Sequence, residues 1–216
     1  MRAPLPRWSN AALRGGLIGA AVVGLFALAT PLVWVRTPWA TGQYVLFEQP
    51  VAFDHRHHVK DDGIDCRYCH DLAERSAYAG VPPSERCMNC HSQIWNESAL
   101  LAPIRASFFA DRPIAWRRVH ALPDFVFFNH AAHVRHGVGC EECHGRVDEM
   151  ARVYQVAPLS MHWCLDCHRD PAPHLRPLEQ ITTMGWEPSG DRRTVGRELM
   201  RRYHVRELTS CTTCHR

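Results

Sequence analysis

The sequence predicts a mainly α-helical, loop-rich domain behind one N-terminal transmembrane helix. Three observations carry this. All ten cysteines of the 216 residues fall into C-x-x-C-H strings. Residues 15–35 are an uncharged, largely apolar run. A Phe and His pattern recurs about 75 residues further on in the chain. A hydrophobic content of 46% rules out wholesale disorder, and nothing resembles collagen or a coiled coil.

The N-terminus comes first. At the helical rise, the 21 residues from Gly15 to Val35 span roughly 30 Å, a bilayer core. Arg2, Arg7 and Arg14 precede the run and Arg36 follows it. This excess of positive charge predicts a cytoplasmic N-terminus, residues 1–14. Everything beyond the anchor, residues 15–35, then lies on the outer, periplasmic side of the cytoplasmic membrane. A cleaved signal peptide would have a shorter apolar region and an A-x-A-like site, which Pro38-Trp39-Ala40 does not match. Trp34, Trp39 and Tyr44 suit the outer interface. Gly16, Ala20 and Gly24 share one helix face, suited either to a plain anchor or to docking against another membrane subunit.

After a linker, residues 36–50, come five strings: Cys66-Cys69-His70, Cys87-Cys90-His91, Cys140-Cys143-His144, Cys164-Cys167-His168 and Cys211-Cys214-His215. C-x-x-C-H is the attachment signal of c-type haem. Both thiols add to the haem vinyl groups, and the next residue, His, becomes the proximal iron ligand. Structural zinc would pair knuckles two at a time, four ligands per ion. Five is odd, and zinc gives no reason for His after every second Cys. A thioredoxin-like dithiol needs one motif in a βαβ setting. A disulfide framework leaves the five His unexplained. The expectation is therefore five covalently bound haem c groups. They would supply most of the apolar core of a chain too small to bury enough surface alone. Short helices should carry the motifs, and the apo chain should not fold.

The chain also repeats. Phe53-x-His55-x-x-His58 precedes Cys66, with a second site at Cys87. Phe128-x-His130-x-x-His133 precedes Cys140, with a second site at Cys164. The offsets are 75 for Phe and both His, then 74 and 77 for the first cysteines. This divides the outer part into a first haem pair (51–118), a second haem pair (119–190) and a C-terminal single-haem segment (191–216). Asp191 to Arg202 reads as a helix with an Asp cap, and Phe125 to Phe128 as a short extended piece after Pro123.

Each low-spin haem needs one distal ligand. The F-x-H-x-x-H element resembles class III multihaem cytochromes c, whose first His usually serves the next C-x-x-C-H and whose second reaches another haem. That resemblance implies His55 for the first haem and His130 for the third, with His58 and His133 crossing to others. One haem remains. His120 is the first choice, with Met161 and Met184 as rivals, because methionine also ligates haem and raises its potential. His57, His136, His162, His174 and His204 read as polar neighbours, propionate partners or surface residues.

The formal charge is +3 before cofactor. Ten propionates against five ferric cores bring the holo chain to about −2 oxidised and −7 reduced. The basic residues therefore argue for no nucleic-acid partner. They comprise 24 Arg and the single Lys60; Arg suits bidentate propionate contacts, but codon bias in a GC-rich genome is the better account, because Arg is also plentiful in the membrane leader.

Longer strings carry a closer resemblance. Arg86 to Trp95 (RCMNCHSQIW), His120 to His133 (HALPDFVFFNHAAH) and Trp163 to Arg169 (WCLDCHR) resemble the pentahaem subunit of bacterial alternative complex III, over nearly the whole chain. This implies an electron-transfer subunit rather than an enzyme. Its partners would be polytopic quinol-binding membrane subunits, an iron–sulfur subunit and a monohaem cytochrome c subunit, with electrons passing to periplasmic carriers or a terminal oxidase. The family pattern also has a methionine at the place of Met161. Two other functions compete: a multihaem reductase with an open haem position, and an anchored quinol dehydrogenase acting by itself.

Overall fold

The computed structural model describes residues 6–215. Arg2, within the expected cytoplasmic segment 1–14, and the terminal Arg216 lie outside them. The described residues form two units that divide after Gly42. They hold no β-strand, only an isolated antiparallel bridge between Val138 and Leu175.

The first unit contains α1 (Ser9–Trp34), 26 residues with none buried. It begins before the uncharged run and includes Arg14, because backbone hydrogen bonding continues where hydropathy stops. Pro31 removes one donor near its end, and the Val35 amide still donates to the Pro31 carbonyl at 3.0 Å. The helix is long and apolar enough to cross a membrane, a property that an anchor and a signal sequence share. A short α2 (Pro38–Thr41) follows, with Pro at its first position.

The second unit begins inside the stretch expected to be a linker. After a turn that ends at Tyr44, this segment, residues 43–50, has no regular secondary structure and straps onto distant segments. The Tyr44 amide donates to the Gln155 carbonyl at 2.8 Å. Gln49 exchanges two hydrogen bonds with the Arg117 backbone, at 2.8 and 2.9 Å. The Arg117 guanidinium covers the Phe47 ring at 4.1 Å.

The remaining helices are α3 (Cys66–Cys69), α4 (Ser84–His91), α5 (Ala102–Ala110), α6 (His130–Arg135), α7 (Cys140–His144), α8 (Met161–Arg169), α9 (Arg192–Arg202) and α10 (Cys211–Cys214). Every C-x-x-C-H string thus sits on a short helix. Side-chain caps start several of them: Asn129 accepts from the Ala132 amide at 3.2 Å, Ser160 from Trp163 at 3.4 Å and Asp191 from Thr194 at 2.8 Å. Helices this short are not stable alone, so tertiary contacts must hold them. The Phe125 stretch departs from its expected form: Asp124 and Phe125 make a turn, and the Phe128 amide turns back to the Val126 carbonyl at 3.2 Å.

The polypeptide's own core is thin. Val51, Met88, Leu101 and Ile104 form one buried cluster where α4 meets α5, with Phe108 and Trp116 against it. The other buried apolar residues include Ala131, Ala157, Ala172, Leu175 and Ile181. Among the described residues no large side chain is less than 2% exposed.

One close approach is made by glycine. α9 packs on the turn Ala172–His174 so tightly that a Cβ on Gly196 would lie 1.7 Å from the Ala172 carbonyl oxygen. Alanine is the better helix former by about 1 kcal/mol, but this contact overrides propensity. Gly196→Ala is expected to lower the thermal midpoint of the holoprotein by roughly 4–8 °C, the effect of about 2 kcal/mol of overpacking. An unchanged midpoint in calorimetry would show that the two segments separate freely.

The repeat is structural as well as sequential. Gly63 and Gly137 both adopt left-handed backbone, at φ 68 and 89°, three residues before Cys66 and Cys140. The Ile64 amide donates to the His58 carbonyl at 2.9 Å, and the Val138 amide to the His133 carbonyl at 3.1 Å. The first copy has one more residue in this stretch, which is why the offset falls from 75 to 74. It absorbs that residue as a π-helix, Arg56–Asp61. An i→i+5 bond, here Asp62 amide to His57 carbonyl at 2.9 Å, takes one residue more than an α turn.

Candidate haem-binding sites

Each F-x-H-x-x-H element holds its two imidazoles around its own phenyl ring. Phe53 meets His55 edge-on at 4.7 Å and stacks on His58 at 4.3 Å. Phe128 meets His130 edge-on at 4.7 Å and stacks on His133 at 4.6 Å. The ring separates the two histidines and turns them towards different motifs.

Three of these histidines face a motif histidine across a similar gap. Ring centres are 6.2 Å apart for His58 and His91, 6.3 Å for His130 and His144, and 6.0 Å for His133 and His168. A metal–imidazole bond is about 2 Å, so two rings on opposite sides of one iron have centres roughly 6 Å apart once each ring's own radius is added. The spacing fits haem iron. His55 lies within electrostatic reach of His70. His120 packs edge-on against His144 at 4.3 Å, too close for an iron between them.

Hydrogen bonds orient the rings. Nδ1 meets a main-chain carbonyl in His70 (Gly80, 2.7 Å), His91 (Ile94, 3.0 Å) and His215 (Phe125, 3.1 Å). The same holds for His58 (Asp54, 2.8 Å), His130 (Ala77, 2.9 Å) and His133 (Asn129, 2.8 Å). A proton on Nδ1 donated this way leaves the Nε2 lone pair for a metal and makes it more basic. His55 Nδ1 and His120 Nε2 are buried with no hydrogen-bond partner, a costly state that a ligand bond to Nε2 would relieve in His120. Burial, the largest cause, pushes His55 and His120 down to about 4 and His144 down to about 3. It lowers His133 as well. These rings are neutral at physiological pH, the form that binds metal.

The cysteines form no disulfides with one another and are mostly half-buried. Burial pushes the thiols of Cys143 and Cys167 up to about 12 and about 11. Among the described residues no three His, Cys, Asp or Glu side chains converge as a bare metal ion would require. The donors come in pairs separated by a gap.

Carbonyl partners and a charged clamp were not anticipated from sequence. Both x positions of the third motif are glutamates. Arg176, with only 3% of its side chain exposed, lies 3.6 Å from Glu141 and 3.5 Å from Glu142. Glu142 also meets His174 at 3.1 Å and Arg192 at 3.8 Å. A Cβ on Gly139 would overlap the Arg176 guanidinium at 2.3 Å, so glycine there admits the arginine. The Asp54 and Asn129 carbonyls occupy equivalent places in the two copies, and that recurrence was a readable signal.

The other expected residues separate by surroundings. Met161, the first residue of α8, is 69% exposed. Met184 is half-buried and lines a cavity of about 190 Å³ with Lys60, Cys66 and Asp148. His57 faces Asp61 and Asp62 at 3.6 Å from its two nitrogens. His162 faces Asp166 at 3.4 Å.

Residues 126–216, which carry the last three motifs, match the family described as cytochrome c7 and related cytochrome c. This C-terminal part of the chain is therefore similar to multihaem cytochromes c. That similarity points to covalently bound haem c at the C-x-x-C-H strings within residues 126–216. The chain is also 35% identical over 134 residues to a protein of Nitratidesulfovibrio vulgaris named menaquinone reductase, multihaem cytochrome c subunit. The match covers 60% of this chain and 56% of that relative, so the chain spans about half the relative's length.

Proposed function

We propose that this multihaem cytochrome is a membrane-anchored pentahaem electron carrier within a quinone-linked membrane complex. The repeated His–His spacing of 6.0–6.3 Å is the observation that carries the reading. Bound haem supplies reversible one-electron iron chemistry. The chain's part is to tether it through Cys66/Cys69, Cys87/Cys90, Cys140/Cys143, Cys164/Cys167 and Cys211/Cys214. His70, His91, His144, His168 and His215 bind from the proximal side. His55, His58, His130 and His133 close the first, second, third and fourth haems in turn. Two candidates remain for the haem at His215. His120 offers a buried, unpartnered Nε2, yet lies against His144. Met161 sits one helical turn before Cys164, and the thiol of Cys164 is within electrostatic reach of Cys214. The i, i+3 spacing puts Met161 and Cys164 on the same side of α8.

In this reading α1 is an uncleaved anchor and the haem motifs are periplasmic. The complex oxidises quinol, with polytopic quinol subunits, an iron–sulfur subunit and a monohaem cytochrome c as partners, as the resemblance to alternative complex III implies. The relative's name favours a second reading, in which electrons run the other way and reduce menaquinone. A wire of haems is neutral to direction. Reconstitution of the native complex with quinol and an oxidised periplasmic carrier, and separately with quinone and a reduced one, distinguishes them by which mixture turns over.

Intact mass of the mature chain is expected to exceed the polypeptide mass by five haems. Carbon monoxide should bind none of them rapidly when reduced, because all ten axial positions are filled. Free thiols at the motifs would reject the cofactor assignment, and prompt carbon monoxide binding would reject the carrier role in favour of an open-site reductase.

A further inference from the structure

The two haem-pair segments meet as the halves of a two-fold pair do. In an isologous contact, residue i of one half meets j of the other and j meets i. The second copy's F-x-H-x-x-H element docks on the loop after the first motif. His130 and Ala131 amides donate to Ala77 and Ser76 carbonyls at 3.2 and 3.0 Å, and Arg135 Nε to the Glu74 carbonyl at 2.8 Å. Reciprocally, the first copy's Arg56–Asp61 packs against Val147–Glu149 after the third motif, with Lys60 at 3.8 Å from Glu149. Residues 147–149 are the counterparts of 73–75 at the 74-residue offset. Near the centre, equivalent residues come together: the thiols of Cys66 and Cys140 lie within interaction range of each other. One turn holds both motifs there, the Thr182 hydroxyl donating to Asp65 at 2.8 Å and the Cys140 amide donating to Ile181 at 3.1 Å.

The remaining neighbours extend outward from that centre. The second motif sits on the first through Asn89 to the Tyr68 hydroxyl at 3.0 Å, Arg86 over the Tyr68 ring at 5.1 Å and Arg86 to Asp71 at 3.4 Å. The fourth joins the third through His174, just past α8, bonded to Glu142 inside the third motif. The fifth is tied by Phe127 amide to Cys214 carbonyl at 2.9 Å and His215 to the Phe125 carbonyl. Those residues run directly into Phe128 and His133, the element facing the fourth motif.

We propose that the five haems are ordered in space as second, first, third, fourth, fifth, folded about an internal pseudo-two-fold, so that electrons cross between the copies only from the first haem to the third. The second and fifth haems are the two ends of the path. This rests on the pentahaem reading. An electron leaving one ferrous haem reduces its ferric neighbour, with no proton or atom transferred. A quinone-oxidoreducing partner serves one end and a one-electron periplasmic carrier the other.

The test is a cryo-EM map of the native holo complex, with iron–iron distances measured. The iron at His70 should have those at His91 and His144 as its two nearest neighbours, and the iron at His215 should be nearest to that at His168. The proposal is overturned if the iron at His91, rather than that at His70, lies nearest to the iron at His144. A haem count by mass on the same preparation separates the outcomes. Fewer than five haems rejects the pentahaem reading, whereas five haems in a different order rejects this proposal alone.

Discussion

His130→Ala is expected to convert one haem of the five to the high-spin state and leave four unchanged. The His130 ring lies parallel to His144, at an interplanar angle of 9° and a separation of 6.3 Å. Its Nδ1 is committed to the Ala77 carbonyl, leaving Nε2 for the iron. Alanine keeps the backbone bonds that dock α6 on Ser76 and Ala77, so the helix should remain in place. The iron opposite would lose its sixth ligand and accept carbon monoxide, at one equivalent per chain. Electron paramagnetic resonance and carbon monoxide titration read both effects. An unaltered spectrum would remove His130 from the ligand set. His57→Ala is the matched control: both of its nitrogens face exposed carboxylates, and all five signals should persist.

The largest effect on stability is expected where the third haem would be tethered. Cys140→Ala with Cys143→Ala should destabilise the domain by more than about 4 kcal/mol, the range reached when a structural metal or disulfide is lost. That is a large share of the roughly 5–15 kcal/mol margin of an ordinary domain. The reason is location. The third motif is clamped by Arg176, His174 and Arg192, touches the first motif through Cys66, and lies where few large apolar side chains are buried. Without the macrocycle, Glu142 and Arg176 would remain half-committed inside a collapsing gap. The same pair of changes at Cys211 and Cys214 should cost one haem only, since α10 is four residues long with none of them buried and Cys211 exposed. Limited proteolysis of the two variants measures the contrast. Equal resistance would mean that the polypeptide, not the cofactor, holds the centre.

The tether residues and the repeat are local in sequence, so they were legible there. C-x-x-C-H is a covalent signature that no neighbouring segment can alter, and α9 begins at its Asp191 cap as its local chemistry demands. The one-residue change of offset between His58 and Cys66 was readable as an irregularity. Its form, a π turn, depended on keeping Gly63 and the His58 carbonyl in the same positions as their counterparts. The strap at residues 43–50 was not legible, because Gln49 finds its partner 68 residues away.

Composition and motif spacing determined by themselves that this chain carries an apolar helix followed by five C-x-x-C-H haem-attachment signals, because those features need only adjacent residues. Which imidazole faces which motif was decided only by tertiary structure. Two histidines three residues apart have no preferred partner until a phenyl ring separates them and distant carbonyls, at Ala77 for instance, fix their rings. The neighbour order of the motifs belongs to the same level, since it arises from two copies of one pattern packing against each other.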